Sequence, residues 1–198
     1  MTHFGGEKRV IALDVRSQNF GFVVFEGPNE ILDWGVRSFR SGDNAVKIPA
    51  ATKLLSLLDE FTPSAVVIRE RATGRSTKKP KLLSIIERQV RSRRIPVRLI
   101  TPREVNRAFV GFESNKYEVA SALAKQFPSL TSRLPPKRKC WQSEDYRMGI
   151  FDAAAVGVAY FSLAKPITKD RAIITEPNTG AIRGQIQSKH SVPTTAAK

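Results

Sequence analysis

Cysteine, histidine and acid are the scarce residues of this 198-residue chain. Cys140 is the single cysteine, so neither an intramolecular disulfide nor a cysteine-based zinc site can form, which fits a reducing compartment. The two histidines, His3 and His190, lie near the chain ends and carry no assignment. No long hydrophobic run is present. The longest apolar stretch, Met148 to Ala164, is interrupted by Asp152 and is short for a membrane span. The start, Met1 to Gly6, lacks the apolar core of a secretory signal. These absences lead us to expect a soluble, cytoplasmic protein without membrane partners.

Acid is outnumbered, with 18 Asp and Glu against 33 Lys and Arg, a formal charge of +15 and a pI near 10.4. Such a balance calls for an acidic partner. Nucleic acid fits better than a membrane surface, because no basic amphipathic segment carries a Trp- or Phe-rich opposite face. At this length one domain with a tail is expected, and 41% hydrophobic residues is compatible with a packed core.

Against that basic background three acids sit in apolar surroundings. Asp14 closes Val10-Ile11-Ala12-Leu13, Glu70 ends the stretch Ala65-Val66-Val67-Ile68-Arg69, and Asp152 interrupts the last apolar segment. An isolated carboxylate there costs several kcal/mol, of order 2–7, unless it is protonated, paired or bound to metal. Each also has an ordinary reading. Asp14 can pair with Arg16 or cap a turn, Glu70 can form a solvated pair with Arg69 or Arg71, and Asp152 can be a structural core acid.

Periodicity supplies the frame. Val10–Asp14, Phe20–Glu26 and Glu30–Phe39 read as strands separated by turns at Arg16–Asn19 and Gly27–Asn29, an antiparallel meander. A helix is predicted over Ala45–Phe61, a strand over Ala65–Glu70, a basic loop over Arg71–Lys79, and a helix opening at Pro80 with Leu82, Leu83, Ile86 and Val90 on one face. A short strand, Pro96–Ile100, is followed by a Thr101-Pro102 helix start, a helix over Lys116–Phe127 and a last helix from about Ser143 to Leu163. The order β-β-β-α-β-α-β-α-α implies an α/β fold, a mixed five-stranded sheet with helices on its faces. It also places Asp14 and Glu70 side by side at the carboxyl ends of parallel neighbours, where open sheets bind ligands. Residues 1–164 are read as one domain and 165–198 as a mobile basic tail.

This order of strand-Asp14, hairpin (Gly21-Phe22-Val23-Val24), strand-Glu70 and late helix-Asp152-Ala153-Ala154-Ala155, with separations of 56 and 82 residues, resembles the ribonuclease-H-like nucleases, in particular the RuvC-type Holliday-junction resolvases. The resemblance spans roughly residues 8–164. It implies a Mg²⁺-dependent endonuclease, with Mn²⁺ able to substitute, acting on branched DNA and working as a homodimer. It further implies that two Mg²⁺ ions are held by Asp14, Glu70 and Asp152, oxygen ligands of the kind Mg²⁺ takes. Two departures stand out: Val15-Arg16 follows the first Asp where the family usually has Pro-Gly, and Gly149 stands three residues before Asp152 where it often has a second acid. Asp145, seven residues before Asp152 and thus on the same predicted helical face, is the candidate fourth acid, with Glu144 beside it.

The charge is concentrated. Between Arg69 and Arg94 there are ten basic side chains and two acids. The ordinary reading is a solvated helix face, but the run starts beside a candidate ligand, so Arg71, Arg75, Lys78, Lys79, Lys81 and Arg88 are candidate phosphate contacts, and Arg16, near Asp14, is another. Lys137-Arg138-Lys139 with Trp141 forms a second patch, Trp141 either stacking on an unpaired base or packing on the last helix. Two alternatives keep the fold: a nuclease acting on RNA, RNA–DNA hybrid or duplex DNA, and a non-catalytic nucleic-acid-binding protein. An actin-like phosphotransferase, which also begins strand-Asp-hairpin, needs a second domain for which this chain is too short.

Overall fold

The computed structural model describes residues 8–38, 47–70, 81–111, 115–139 and 141–164, with only the backbone described at 47–50 and 81. Five strands form one sheet: β1 (Arg9–Val15), β2 (Asn19–Glu26), β3 (Glu30–Ser38), β4 (Ala65–Arg69) and β5 (Val97–Ile100), in the order β3-β2-β1-β4-β5. β1, β2 and β3 pair antiparallel, whereas β4 lies parallel to both β1 and β5. The mixed sheet expected from the meander-then-alternation pattern is therefore present.

The turns behave as their residues dictate. The β1–β2 hairpin is closed by the Arg16 amide donating to the Asn19 carbonyl at 2.8 Å. Gly27 takes φ 70° between β2 and β3, a left-handed conformation that costs glycine little.

Each β1 residue commits to one face by alternation. Ile11, Leu13 and Val15 join Phe20, Phe22, Val24, Val66 and Ile68 in a core covered by α1 (Lys47–Phe61) and α2 (Lys81–Ser92). Val10 and Ala12 join Val23, Phe25, Ala65 and Val67 in the opposite core, beneath α3 (Pro102–Ala108), α4 (Lys116–Gln126) and α5 (Met148–Ala164). Continuous burial of β1 and β2 follows from helices on both faces. α5 crosses the sheet closely because β2 and α5 each lack a side chain where they meet. A Cβ on Gly21 would lie 2.1 Å from the Gly149 carbonyl oxygen, and one on Gly157 would lie 2.1 Å from the Phe25 ring.

The number of helices after β5 and the start of the last one differ from expectation. α3 is a separate helix held by a capping box, in which Thr101 Oγ1 accepts from the Glu104 amide at 3.2 Å and Glu104 accepts from the Thr101 amide at 2.7 Å. Three helices and a 3₁₀ segment, Pro128–Arg133, thus follow β5, rather than two helices. The last helix begins at Met148, five residues later than predicted. Asp145 lies in the preceding loop instead, its carboxylate accepting from the Arg147 amide at 2.8 Å, a local bond that competes with helix. The proposed helical face shared by Asp145 and Asp152 does not exist.

No helix among the described residues is long and apolar enough to cross a membrane. The predicted tail, 165–198, and the loop 71–80 lie outside the described residues.

Candidate active site

Asp14 and Asp152 are the two buried charged residues among those described, with relative exposures of 0% and 7%. Asp14 shares the face of Val10 and Ala12 by alternation, so its side chain turns toward α5. Asp152 stands in the second turn of α5. The Arg16 guanidinium joins them: Nε donates to Asp14 Oδ2 at 2.8 Å, Nη2 to Asp152 Oδ2 at 2.9 Å, and Nη1 to Glu144 Oε2 at 3.1 Å. Lys116, in the first turn of α4, donates from Nζ to Glu144 Oε1 at 2.7 Å and to Asp152 Oδ2 at 3.0 Å. Arg69, the last residue of β4, pairs through Nη1 with Asp152 Oδ1. Among the described residues, three acids and three bases thus meet at the carboxyl end of the central strands.

Burial drives the Asp152 carboxyl toward protonation, yet Arg69, Lys116 and Arg16 together outweigh it and hold its pKa below the ordinary carboxylate range. For Arg16, burial works against the charge, and Asp14, Asp152 and Glu144 override it to raise its pKa. A carboxylate desolvated this far is tolerable because each of its oxygens meets a cation.

The other predicted acids lie elsewhere. The Val66 amide donates to the Pro96 carbonyl at 2.9 Å and the Glu70 amide to the Ile100 carbonyl at 2.8 Å. The β4–β5 ladder therefore keeps its two-residue period through position 70. Glu70 falls in phase with Val66 and Ile68, toward α1 and α2, and Arg69 falls in phase with Val67, toward α5. Glu70 is exposed. Asp145 forms its ion pair with Arg147 at 2.7 Å, and Glu144, which a helix from Ser143 would have rotated away, is the acid that reaches the cluster.

Among the described residues no three Asp, Glu, His or Cys side chains group as a metal site. Asp14 and Asp152 nonetheless fit one Mg²⁺ or Mn²⁺. They share a single cationic head already, and Mg²⁺ is commonly held by one or two carboxylates with waters and substrate phosphates. A two-ion set built from Asp14, Glu70 and Asp152 is not assembled here.

Around the cluster the surface is concave and basic. Arg69, Lys116 and Asp152, with Val105, Asn106 and Phe109, line a cleft of about 110 Å³. Lys116, Glu144 and Asp145 also border a second cleft of about 430 Å³, walled by Tyr117, Pro135 and Pro136 and edged by Lys137 and Arg138. Lys139 is exposed, its ammonium 5.5 Å from the Trp141 ring centre, and Trp141 is 76% exposed, so it does not pack on the last helix. Arg88 is exposed on α2, in the layer opposite the cluster. Arg71, Arg75, Lys78 and Lys79 lie outside the described residues, as does the Lys81 side chain.

Sequence reasoning missed Lys116 and did not give Arg69 a place in the site. Lys116 looks like any solvated helix lysine, and the parity that separates Arg69 from Glu70 depends on which sheet face α5 covers.

No protein-family profile matches this chain, and no curated protein does. Among solved structures it is similar to Thermus thermophilus RuvC in complex with a Holliday-junction substrate, with TM-score 0.61, 18% identity, and 79% of this chain and 94% of that one covered. It is also similar to Thermus thermophilus RuvC alone, with TM-score 0.58, 18% identity and coverages of 79% and 95%. The yeast mitochondrial Holliday-junction resolvase Ydc2 matches with TM-score 0.54, 13% identity and coverages of 79% and 80%. The fold is accordingly the ribonuclease-H-like fold of RuvC type, as the order of strands and acids led us to expect.

Proposed function

We propose that this chain is a metal-dependent endonuclease acting on branched DNA, four-way junctions in particular. The observation that carries this reading is the meeting of two buried carboxylates, Asp14 from β1 and Asp152 from α5, at the carboxyl end of a RuvC-type sheet and beside basic clefts. A bound Mg²⁺ or Mn²⁺ would supply charge stabilisation on the phosphate and a water acidic enough to attack it.

The protein's own groups do the rest. Asp14 and Asp152 would hold the ion, and the Arg16 head would have to yield its place between them. Arg69 and Lys116 fix the Asp152 carboxylate from two sides, and Lys116, half exposed, also presents its ammonium to an incoming phosphate. Lys137, Arg138 and Lys139 extend the positive track away from the cluster, with Trp141 free to stack on an unpaired base. Cutting two strands of a junction symmetrically would take two copies of the chain.

The engagement of both carboxylates by basic side chains favours a second reading, a binding protein that holds junctions without cutting them. One panel separates the readings: the full chain with Mg²⁺ or Mn²⁺ on a four-way junction, linear duplex, single strand and RNA–DNA hybrid, alongside Asp14→Asn. Junction cleavage by the parent and binding without cleavage by Asp14→Asn is the expected result. Tight junction binding with no cleavage in either metal identifies the binding protein, and preferential hybrid cleavage identifies a same-fold nuclease acting on RNA.

A further inference from the structure

We propose that Arg69 is the second positive centre of this site, so that the chain takes one divalent ion and completes the charge on the phosphate with a guanidinium. The inference rests on the nuclease reading above.

Three observations converge on Arg69. The β4–β5 ladder runs unbroken through the Glu70 amide, so the residue that β4 delivers to the Asp14 and Asp152 face is a base, with Glu70 sent to the opposite face. Arg69 engages Asp152 Oδ1, while Arg16 and Lys116 share Oδ2. The Arg16 contact is the one that also spans Asp14, so it marks the place a metal ion can take, and Arg69 stands on the far oxygen. Finally, Arg69 lines the small cleft together with Lys116 and Asp152, and its side chain is 21% exposed. A guanidinium has five N–H donors in a planar fork. Its contact with Asp152 is an ion pair through Nη1, and donors that face the cleft can take a phosphate oxygen. Preorganised donors of this kind stabilise charge as it develops in the transition state.

A merely structural Arg69 would anchor Asp152, and losing it would loosen the ion. An Arg69 that replaces an ion does the reverse: removing it frees a carboxylate oxygen and leaves more negative charge for the ion to meet. The test therefore counts and weighs bound Mn²⁺ by electron paramagnetic resonance, with the full chain on an uncleavable junction, and follows cleavage separately. The parent should bind one Mn²⁺ per chain. Arg69→Gln should bind one at least as tightly while cleavage falls about 10²- to 10³-fold, with Arg69→Lys recovering part of the rate. Arg69→Glu should bind two, seen as a spin-coupled pair.

Two ions on a parent chain that cuts junctions would overturn the role of Arg69 and leave the nuclease reading standing. Weaker Mn²⁺ binding in folded Arg69→Gln would reduce the residue to an anchor. A parent that binds junctions, takes up no Mn²⁺ and never cuts would remove the nuclease reading itself.

Discussion

On the nuclease reading, Asp152 would carry both a stability and an activity signature. Its pKa is held low because its three cationic neighbours outweigh burial. Its contribution to folding is thus complete above the unfolded value near 3.9 and is lost as pH falls through the lower folded value. Urea unfolding followed from pH 5 down to pH 2 should show that loss, and Asp152→Asn should flatten this part of the profile while abolishing cleavage. The neighbouring acids now rank differently from what a helix starting at Ser143 implied. Glu144→Gln, which slackens both Arg16 and Lys116, should lower cleavage about 10–100-fold, as removal of supporting groups around a metal site does. Asp145→Asn weakens a partly buried pair with Arg147, should cost about 1 kcal/mol, and should leave cleavage near the parent level. Single-turnover rates on a four-way junction would check the order.

At the scale of elements, the site depends on how closely α5 can lie on the sheet. Asp14 is registered opposite Gly21 on β2, and the backbone of α5 at Gly149 lies directly against Gly21. Gly21→Ala would drive a methyl into the Gly149 carbonyl, a backbone atom that cannot rotate aside, so α5 must lift and take Asp152 with it. We expect abolished cleavage together with destabilisation of about 3 kcal/mol, the upper end of ordinary overpacking, or more. Gly157→Ala meets the Phe25 ring, which is packed edge-on against Phe127 and Phe161 at 5.8 and 5.7 Å. A ring can shift, and Gly157 is one turn and more from Asp152, so a destabilisation of about 1–3 kcal/mol with cleavage largely kept is expected. Urea titrations of the two variants, read beside their cleavage rates, would separate stability from site geometry. The contrast also explains Gly149: a Cβ there meets only ordinary neighbours, the Arg16 Nε at 3.8 Å among them, so the close approach requires glycine at 21 and not at 149.

Across the whole molecule, the net charge of +15 should make the proposed nucleic-acid binding salt-dependent. Replacing Lys137, Arg138 and Lys139 together with Ala should weaken binding to every nucleic acid alike. It should also reduce the log–log salt slope by about 0.9 for each phosphate that these side chains neutralise, as measured by junction binding across a salt titration. The same replacement of Lys78, Lys79 and Lys81 tests the run that follows β4. An unchanged slope for either set would mark it as a solvated face.

Much of this protein was legible in one dimension. Two-residue alternation and unbroken apolar runs give β1, β2 and β4, the Thr101-Pro102 start gives α3, and a carboxylate inside an apolar run marks Asp14 and Asp152, because burying charge without a partner is too costly to be incidental. These are local properties, each readable within a few residues. What only the tertiary structure decided is which acids meet which bases. One residue of strand parity turns Glu70 away and brings in Arg69, a side-chain bond at Asp145 delays α5 by one turn and more, and Lys116 arrives from a helix whose own sequence says nothing of Asp152. Ion pairing depends on distance through space, and distance between remote segments is set by packing the sheet against its helices, so a sequence can reveal that a buried charge needs partners before it reveals which partners those are.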